Sequence, residues 1–429
     1  MGLRSVSAEG SSAEWRKALS GIPRYSYALS LGICMAFASV MAGPLCIEPR
    51  IVHFFGTSTT GKTLLLILAR SVFGNPIRDR LPTWNTTATA FEELAGQVRD
   101  HLLVVDEVTF KTGGFDDEQL LRRLHYAFAS SQSMRRSGRY EPTQTVIGAG
   151  SGRLGLSTGE LSYREVARRA GSKRFRGAAL RAVDIASDLE YGMGLFRRLP
   201  SDYSAREDGA RRFAQRLESA ALENYGRVGR HFVQHLIYDN PDWKVDARRR
   251  LDEFVSGLNL GDDGYLTRFA EIFGLAYAAG REAMAADLVD WSADELRYAI
   301  ERMYEIAREN LSTPAEACED VLAKLKRELS KNVVDVDRRV EIDDETFNSA
   351  NAFFRKDPEL GPVYLVKPHF LESLCGSEVS TRDIALTLDQ MGVLARDPTQ
   401  AALPTRQVMI GSRRARMRYY YIREAFARQ

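Results

Sequence analysis

Eight consecutive residues, Gly56, Thr57, Ser58, Thr59, Thr60, Gly61, Lys62 and Thr63, fill the spacing Gly-x-x-x-x-Gly-Lys-Thr without a mismatch. The chemistry this spacing allows is the holding of a triphosphate. Successive backbone N–H groups at the start of a helix make a concavity for anions. Gly56 and Gly61 permit a tight turn and the close approach of phosphate oxygens. Lys62 brings a point charge to the β- and γ-phosphates, and Thr63 offers a hydroxyl to Mg2+. The flanks agree, because the apolar run IVHFF (51–55) leads in and LLLILARSVF (64–73) leads out, as strand and helix. ATP and Mg2+ are the expected ligands.

A second run, LLVVDEV (102–108), ends an apolar strand on two carboxylates. At the edge of a sheet beside a phosphate loop, Asp106 would sit in the Mg2+ shell with Thr63, and Glu107 would orient and polarise the attacking water. Acids that merely cap a helix are the plainer alternative. A third polar strand end, Ser157-Thr158-Gly159-Glu160, follows RLGL, and either Ser157 or Thr158 could touch the γ-phosphate or the water; an ordinary turn is the competing reading.

Arginines complete the set. Oligomeric ATPases place an arginine of one subunit against the γ-phosphate held by the next. Arg181, next to the apolar AVDIA, is the first candidate and Arg174 the second, against a background of solvated surface arginines. Arg135, Arg136 and Arg139 suit a loop that grips a phosphate backbone. Near the C-terminus Arg406, Arg413, Arg414, Arg416 and Arg418 accompany Tyr419, Tyr420 and Tyr421, a basic and aromatic pattern expected to contact DNA, although such hairpins also bind protein or simply pack. His53 lies within an apolar strand and reads as a core side chain. His231 and His235 stand four apart without a His-Glu-x-x-His frame, and Cys34, Cys46, Cys318 and Cys375 form no Cys-x-x-Cys pair, so zinc is not expected.

These residues need a frame. At 429 residues the chain exceeds what one core usually organises. Its 59 basic and 57 acidic residues leave a net charge of only +2, so overall charge does not mark a nucleic-acid binder. Residues 1–49 read as a polar tail and two helices broken near Gly21-Ile22-Pro23. The stretch Ala28 to Ile47 is nearly all apolar and resembles a membrane span or signal peptide, but Gly43-Pro44 would end a helix within it, and the phosphate loop begins about ten residues later. It therefore reads as a buried helix of a cytoplasmic protein. Residues 50–203 alternate short strands with helices, as in the α/β sheet core of a P-loop NTPase, with TQTVIGA (143–149) as a possible hairpin strand. Residues 204–330 read as an all-helical lid or collar, with capping boxes at Ser292/Glu295 and Thr313/Glu316. Residues 331–429 read as a winged helix. A helix at Asp344–Arg355 comes first, then strand VYLV (363–366) and helices from Pro368 and Ser380. Two strands close the domain, TRQVMI and RMRYYYI, with a turn at Gly411-Ser412.

From Trp15 to about Tyr238, and again in RMRYYYI, the chain resembles the helicase-like P-loop ATPase family of phages, plasmids and integrative elements that includes the Cch-type self-loading replicative helicases. The residues that carry the resemblance include Trp15-Arg16, Ala69 to Gly74, Trp84, Thr87 and Glu92. Beyond LLVVDEV they are Tyr126, Arg136, Gly138, LSTGE (156–160), Gly177, Arg181, Asp184-Ile185 and GLFRRL (194–199). The resemblance implies a hexameric AAA+-type ring that moves on DNA, single-stranded DNA in particular, at the expense of ATP. It also implies a primase or a single-strand-binding protein as partner in replication of a mobile element. The chain begins at the ATPase, without the extra N-terminal domains common in the family, and is expected to be a stripped-down member or a fragment. It departs from the family where an Asn-Gly-x-Gly-Lys-x-Arg loop is replaced by SSQSMRR (130–136), where a Trp before LSTGE is missing, and at Thr89. The second reading this suggests is a nucleotide-dependent DNA clamp or assembly ATPase that oligomerises without unwinding. A terminase-like or defence ATPase is a third.

Overall fold

The structure is a computed structural model. It describes residues 7–58, 60–77, 81–83, 101–108, 152–169, 180–187, 192–204, 208–311, 313–337, 342–375, 379–396, 405–408, 410 and 417–428. The described residues fall in two compact units, the first ending at Leu311.

In the first unit β1 (Arg50–Phe55), β2 (Leu103–Val108), β3 (Leu154–Gly159) and β4 (Ala182–Ala186) form a parallel sheet in the order β2-β3-β1-β4. The chain therefore leaves β1 at the same edge where β2 and β3 end, and β3 lies between them. The central strands are buried on both faces, as parallel strands must be when helices cover each side. The expected α/β class with a parallel sheet is what is found.

Helices α1 (Ser12–Ala18), α2 (Ile22–Tyr25) and α3 (Tyr27–Ala42) precede the sheet. The break after α1 is made at Gly21, whose φ of 65° suits glycine, followed by Pro23 in the first turn of α2. Helix α3 starts at Ser26, whose hydroxyl accepts the Leu29 N–H at 3.2 Å. Apolar or small on every side, α3 is buried almost end to end in the first unit's core. That is the buried reading of the Ala28–Ile47 stretch. No helix among the described residues is long and apolar enough to cross a membrane.

Among the described residues the further α-helices of this unit are α4 (Lys62–Ser71), α5 (Tyr163–Arg169), α6 (Ser201–Ser204), α7 (Gly209–Glu223), α8 (Arg227–Gln234), α9 (Trp243–Gly257), α10 (Gly264–Ala285) and α11 (Ala293–Glu309). Helices α4, α10 and α11 pack directly on α3, so much of the helical region shares the sheet's core. The change of unit comes at Leu311, not near residue 330. One expected cap is not formed. Ser292 does precede α11, but its side chain makes no capping bond, and the Glu295 carboxylate, the other arm of such a box, accepts from Arg24 at 2.7 Å.

The second unit contains α12 (Pro314–Lys331), which opens on the expected capping box of Thr313 and Glu316. It continues through β5 (Val333–Asp335), α13 (Asp344–Ser349), β6 (Ala352–Asp357) and β7 (Gly361–Val366). Then come α14 (Pro368–Cys375), α15 (Thr381–Gln390), β8 (Arg406–Val408), β9 (Met417–Arg423) and α16 (Ala425–Arg428). The sheet order is β5-β6-β7-β9-β8. The helix expected at Asp344–Arg355 ends at Ser349, and Ala352–Asp357 is a strand instead. Its partner is β7 across a tight turn in which Asp357 accepts the N–H groups of Glu359 and Leu360. A hairpin turn is the signal that separates the two, and it outweighs the helical look of the first half.

Candidate functional site

The phosphate loop is a sharp reversal at the end of β1. Gly56 has φ 144° and Gly61 φ 98°, backbone that a side chain would strain. Gly56 N–H donates to Gly159 O at 3.1 Å, and Ser187 N–H donates to Phe55 O at 2.7 Å, so the strands on either side grip the root of the loop. The Lys62 ammonium donates to the carbonyls of Gly56 (2.8 Å) and Thr57 (2.5 Å). Lys62 opens α4, whose residues Leu64 to Ala69 are buried and fix the helix axis under the loop. Thr57, Ser58 and Thr60 lie along the turn, and Thr59 lies outside the described residues.

A brace beneath this loop was not read from the sequence. Leu195 N–H donates to Thr60 O at 2.9 Å, the Ser26 hydroxyl donates to Leu195 O at 2.7 Å, and Arg197 N–H donates to Tyr25 O at 2.9 Å. The junction of α2 and α3 thus holds the 194–197 turn, and that turn holds the loop. Gly194, at φ 63°, sits so close that a Cβ would overlap the Thr60 carbonyl. The available signal was the glycine opening GLFRRL, a position that tolerates no side chain.

Three expected residues meet at the mouth of the loop. The Thr158 hydroxyl donates to Asp106 Oδ1 at 2.6 Å, and the Thr63 hydroxyl to Asp106 Oδ2 at 3.4 Å. Pairing of β2 with β3 runs to Val105 opposite Ser157 and resumes at Val108 opposite Gly159. Asp106 and Glu107 therefore stand opposite the single residue Thr158, a bulge of the kind that re-aims side chains at functional edges. Asp106 N–H also donates to Pro82 O at 2.8 Å, which ties the bulge to a further edge. The Glu107 side chain lies outside the described residues. A carboxylate flanked by two hydroxyls is an all-oxygen set that fits a hard cation such as Mg2+, which keeps waters and completes its shell with substrate phosphate.

Ser157 takes the other side of the sheet. Its hydroxyl lies 2.8 Å from His53 Nδ1 and 2.8 Å from the Tyr163 hydroxyl, fully buried. Of the two candidates for a phosphate sensor, only Thr158 is beside Asp106. His53 Nε2 lies 2.9 Å from Leu161 O, and the Tyr163 ring stacks on the imidazole at 4.1 Å. Burial lowers His53 to about 4, with the Lys62 charge adding to the effect against the Leu161 hydrogen bond, so the ring is neutral at pH 7. Burial pushes the Tyr163 phenol well above its usual value. Next in register is Asp184, which accepts the N–H groups of Tyr163 (3.0 Å) and Arg164 (3.1 Å) at the start of α5. Burial pushes its carboxyl up to about 7 in spite of these donors.

Arg181 immediately precedes β4, and its carbonyl accepts the Ile51 N–H at 2.7 Å. That is the start of β1, remote from the phosphate loop, where Arg181 lies in the field of Glu48 and Arg50. Arg135, Arg136, Arg139, Arg174, Arg413, Arg414 and Arg416 and the segment 143–149 lie outside the described residues. Tyr419, Tyr420 and Tyr421 are buried in the second unit, so they are not the exposed aromatic face expected of a DNA-stacking hairpin. Arg406 lies over the Tyr421 ring at 5.1 Å, and Arg418 reaches the Thr405 hydroxyl at 3.5 Å. His231 approaches the Ser12 hydroxyl and His235 approaches Asp239. No group of three or more His, Cys, Asp or Glu suited to a metal occurs among the described residues.

The sequence pattern of a domain of unknown function, DUF927, matches residues 2–146, which include the phosphate loop and the acidic pair. Among solved structures the chain is similar to the SCCmec type IV Cch protein, titled an active helicase. The TM-score is 0.66 at 16% identity, covering 97% of this chain and 70% of that one. At that identity the likeness is one of fold. No curated protein matches the sequence significantly.

Proposed function

We propose that the chain is an ATP-hydrolysing motor subunit. In this reading it assembles into a ring, hexameric as in the family it resembles, that translocates on single-stranded DNA and unwinds duplex during replication of a mobile genetic element. The observation that carries the reading is the meeting of Thr63 and Thr158 on the Asp106 carboxylate at the mouth of the glycine loop. The backbone of residues 56–63 cradles the β- and γ-phosphates, and Lys62 neutralises their charge. Bound Mg2+ would withdraw charge from the phosphate oxygens, with Thr63 and Asp106 on its protein side. Thr158 holds Asp106 in one orientation, and Glu107 takes the proton of the attacking water. The fold shared with a protein titled an active helicase supports the motor reading over a small-molecule kinase.

Arg181 enters this scheme only from a neighbouring subunit. It stands at the start of β4, level with Arg50–Ile51, and the loop begins after Phe55. Five residues of strand span roughly 16 Å at about 3.3 Å each. Too far from its own triphosphate, it is free to serve the next one in a ring. A primase or single-strand-binding protein is the partner proposed for the cytoplasmic replication complex. Contacts to DNA are assigned to Arg135, Arg136, Arg139, Arg413, Arg414 and Arg416.

The test is ATP hydrolysis with and without single-stranded DNA, together with strand displacement on a forked duplex. DNA-stimulated hydrolysis with displacement is expected. The altered segment SSQSMRR motivates a second reading, an ATP-dependent clamp, which predicts DNA-stimulated hydrolysis without displacement. Absence of hydrolysis under every condition would end both.

A further inference from the structure

The face of the sheet opposite the one that carries Thr158 holds a polar chain to which this mechanism assigns no task. His53 and Ser157 are register partners on β1 and β3, and Asp184 stands beside His53 on β4. The Leu161 carbonyl can only accept a hydrogen bond, so His53 Nε2 carries the proton and Nδ1 presents a lone pair. Ser157 must then donate to Nδ1, and the Tyr163 hydroxyl must donate to Ser157. One directed chain results, Tyr163 to Ser157 to His53 to Leu161, with Ser157 and His53 fully buried. Such a chain locks side-chain rotamers and, through them, the backbone that carries them.

What it locks is the pair of strand ends on which the site is built. Ser157 immediately precedes Thr158, and His53 comes three residues before Gly56. Leu161 closes the turn that follows Glu160, whose carboxylate accepts the Ser58 hydroxyl at 3.3 Å. We propose that His53, Ser157 and Tyr163 are positioning residues for ATP hydrolysis. They hold the end of β3 at a fixed height against the phosphate loop, so that the Thr158 hydroxyl stays on Asp106 through the reaction. The inference rests on the reading of the site as an ATPase. Alternation along β3 is its physical basis: Thr158 reaches Asp106, and its neighbour Ser157, on the other face, is held by a fully buried network. Catalytic groups need placement to about half an ångström, and rigid supporting shells provide it.

The test uses the full chain and a double-mutant cycle. Ser157→Ala removes one hydroxyl with almost no change of volume, Tyr163→Phe does the same one step further back, and Ser157→Thr restores the hydroxyl. The expected result for Ser157→Ala is a fall in kcat of about 10-fold or more, on the scale of a misplacement somewhat under 1 Å. Equilibrium affinity for ATP should stay within about 2-fold, since the loop itself is untouched. Ser157→Thr should recover most of the rate. In a Thr158→Val background the Ser157→Ala change should have almost no further effect, because Ser157 acts through Thr158. Wild-type kcat in both Ser157→Ala and Tyr163→Phe, or effects that simply multiply with those of Thr158→Val, would overturn the assignment while leaving the ATPase reading in place. Failure of the unmodified chain to hydrolyse ATP would remove that reading and this inference together.

Discussion

The brace under the phosphate loop can be tested by a single methyl group. Gly194 has φ 63°, and a Cβ built there lies 2.9 Å from Thr60 C and 3.2 Å from Thr60 Cα, besides overlapping the carbonyl oxygen. Gly192 has φ 65° and nothing within 4 Å of the same added atom. Ala at either site pays the left-handed backbone strain, about 1–2 kcal/mol. Only Gly194→Ala also pushes on the loop. Ordinary carbon contacts need about 3.5 Å, so Thr60 must retreat by roughly 1 Å, and the Leu195 N–H bond to its carbonyl is lost. That bond contributes about 1 kcal/mol, and a 1 Å displacement beside reacting groups costs on the order of 10²-fold in rate. Both variants should therefore melt a few degrees below wild type. Gly194→Ala alone should lose about 10²-fold in kcat/KM for ATP, and Gly192→Ala should stay within about 2-fold. Steady-state ATPase rates and thermal melts read both quantities. Equal activity in the two variants would refute the brace.

Three further outcomes follow from the same geometry. Thr158→Val should lower kcat by about 10²-fold with ATP affinity little changed, and Thr158→Ser should retain most of the rate; initial rates against ATP concentration check this, and an unchanged kcat in Thr158→Val would contradict it. Stability against pH separates the two buried titrating groups. Burial lowers His53 from 6.5 to about 4, so its contribution is gained as pH rises from about 4 to 6.5; burial raises Asp184 from 3.8 to about 7, so its contribution is present at low pH and lost as pH rises from about 4 to 7. Between pH 4.5 and 7, urea unfolding should show Asp184→Asn gaining on wild type and His53→Gln falling behind it, each by about 3 kcal/mol at most. Parallel curves would mean the two groups titrate as they do in the unfolded chain. Trp15→Phe removes the buried hydrogen bond to Ser71 Oγ (2.9 Å) at the end of α4 and should cost about 1–3 kcal/mol in urea unfolding. A loss below about 0.5 kcal/mol would show that the bond does not anchor α4.

The residues that announce themselves in the sequence are those whose chemistry fixes their spacing. Gly56, Gly61, Lys62 and Thr63 must stand at a fixed spacing in one turn, and Asp106 must come near the end of a strand, so both motifs could be found without a structure. The choice between Ser157 and Thr158 could not be made in the same way. Neighbouring residues on a strand face opposite sides, and the sequence does not say which side holds the phosphate. Local pattern misleads at two places. The residues 344–355 look helical, but the turn at Asp357–Gly361 pairs the second half with β7. Glu295 stands three residues after Ser292 as a capping box requires, yet Arg24, remote in sequence, takes the carboxylate. Tyr419–Tyr421 illustrate a further limit, since an aromatic run in a basic setting is equally the inner face of a sheet and an exposed binding surface until burial is known. The brace at Gly194 and Leu195 depends on contacts with Ser26, which no local window contains.

The central claim is that the turn after β1 and the Asp106 carboxylate together hold a magnesium nucleoside triphosphate and cleave it. The most direct measurement is equilibrium binding of ATP to the full chain, with and without Mg2+, followed by turnover of the bound nucleotide. Wild type should retain ATP in a magnesium-dependent manner, Glu107→Gln should retain it without turnover, and Lys62→Ala should not retain it. Equal binding by wild type and Lys62→Ala, or wild-type turnover by Glu107→Gln, would contradict the claim.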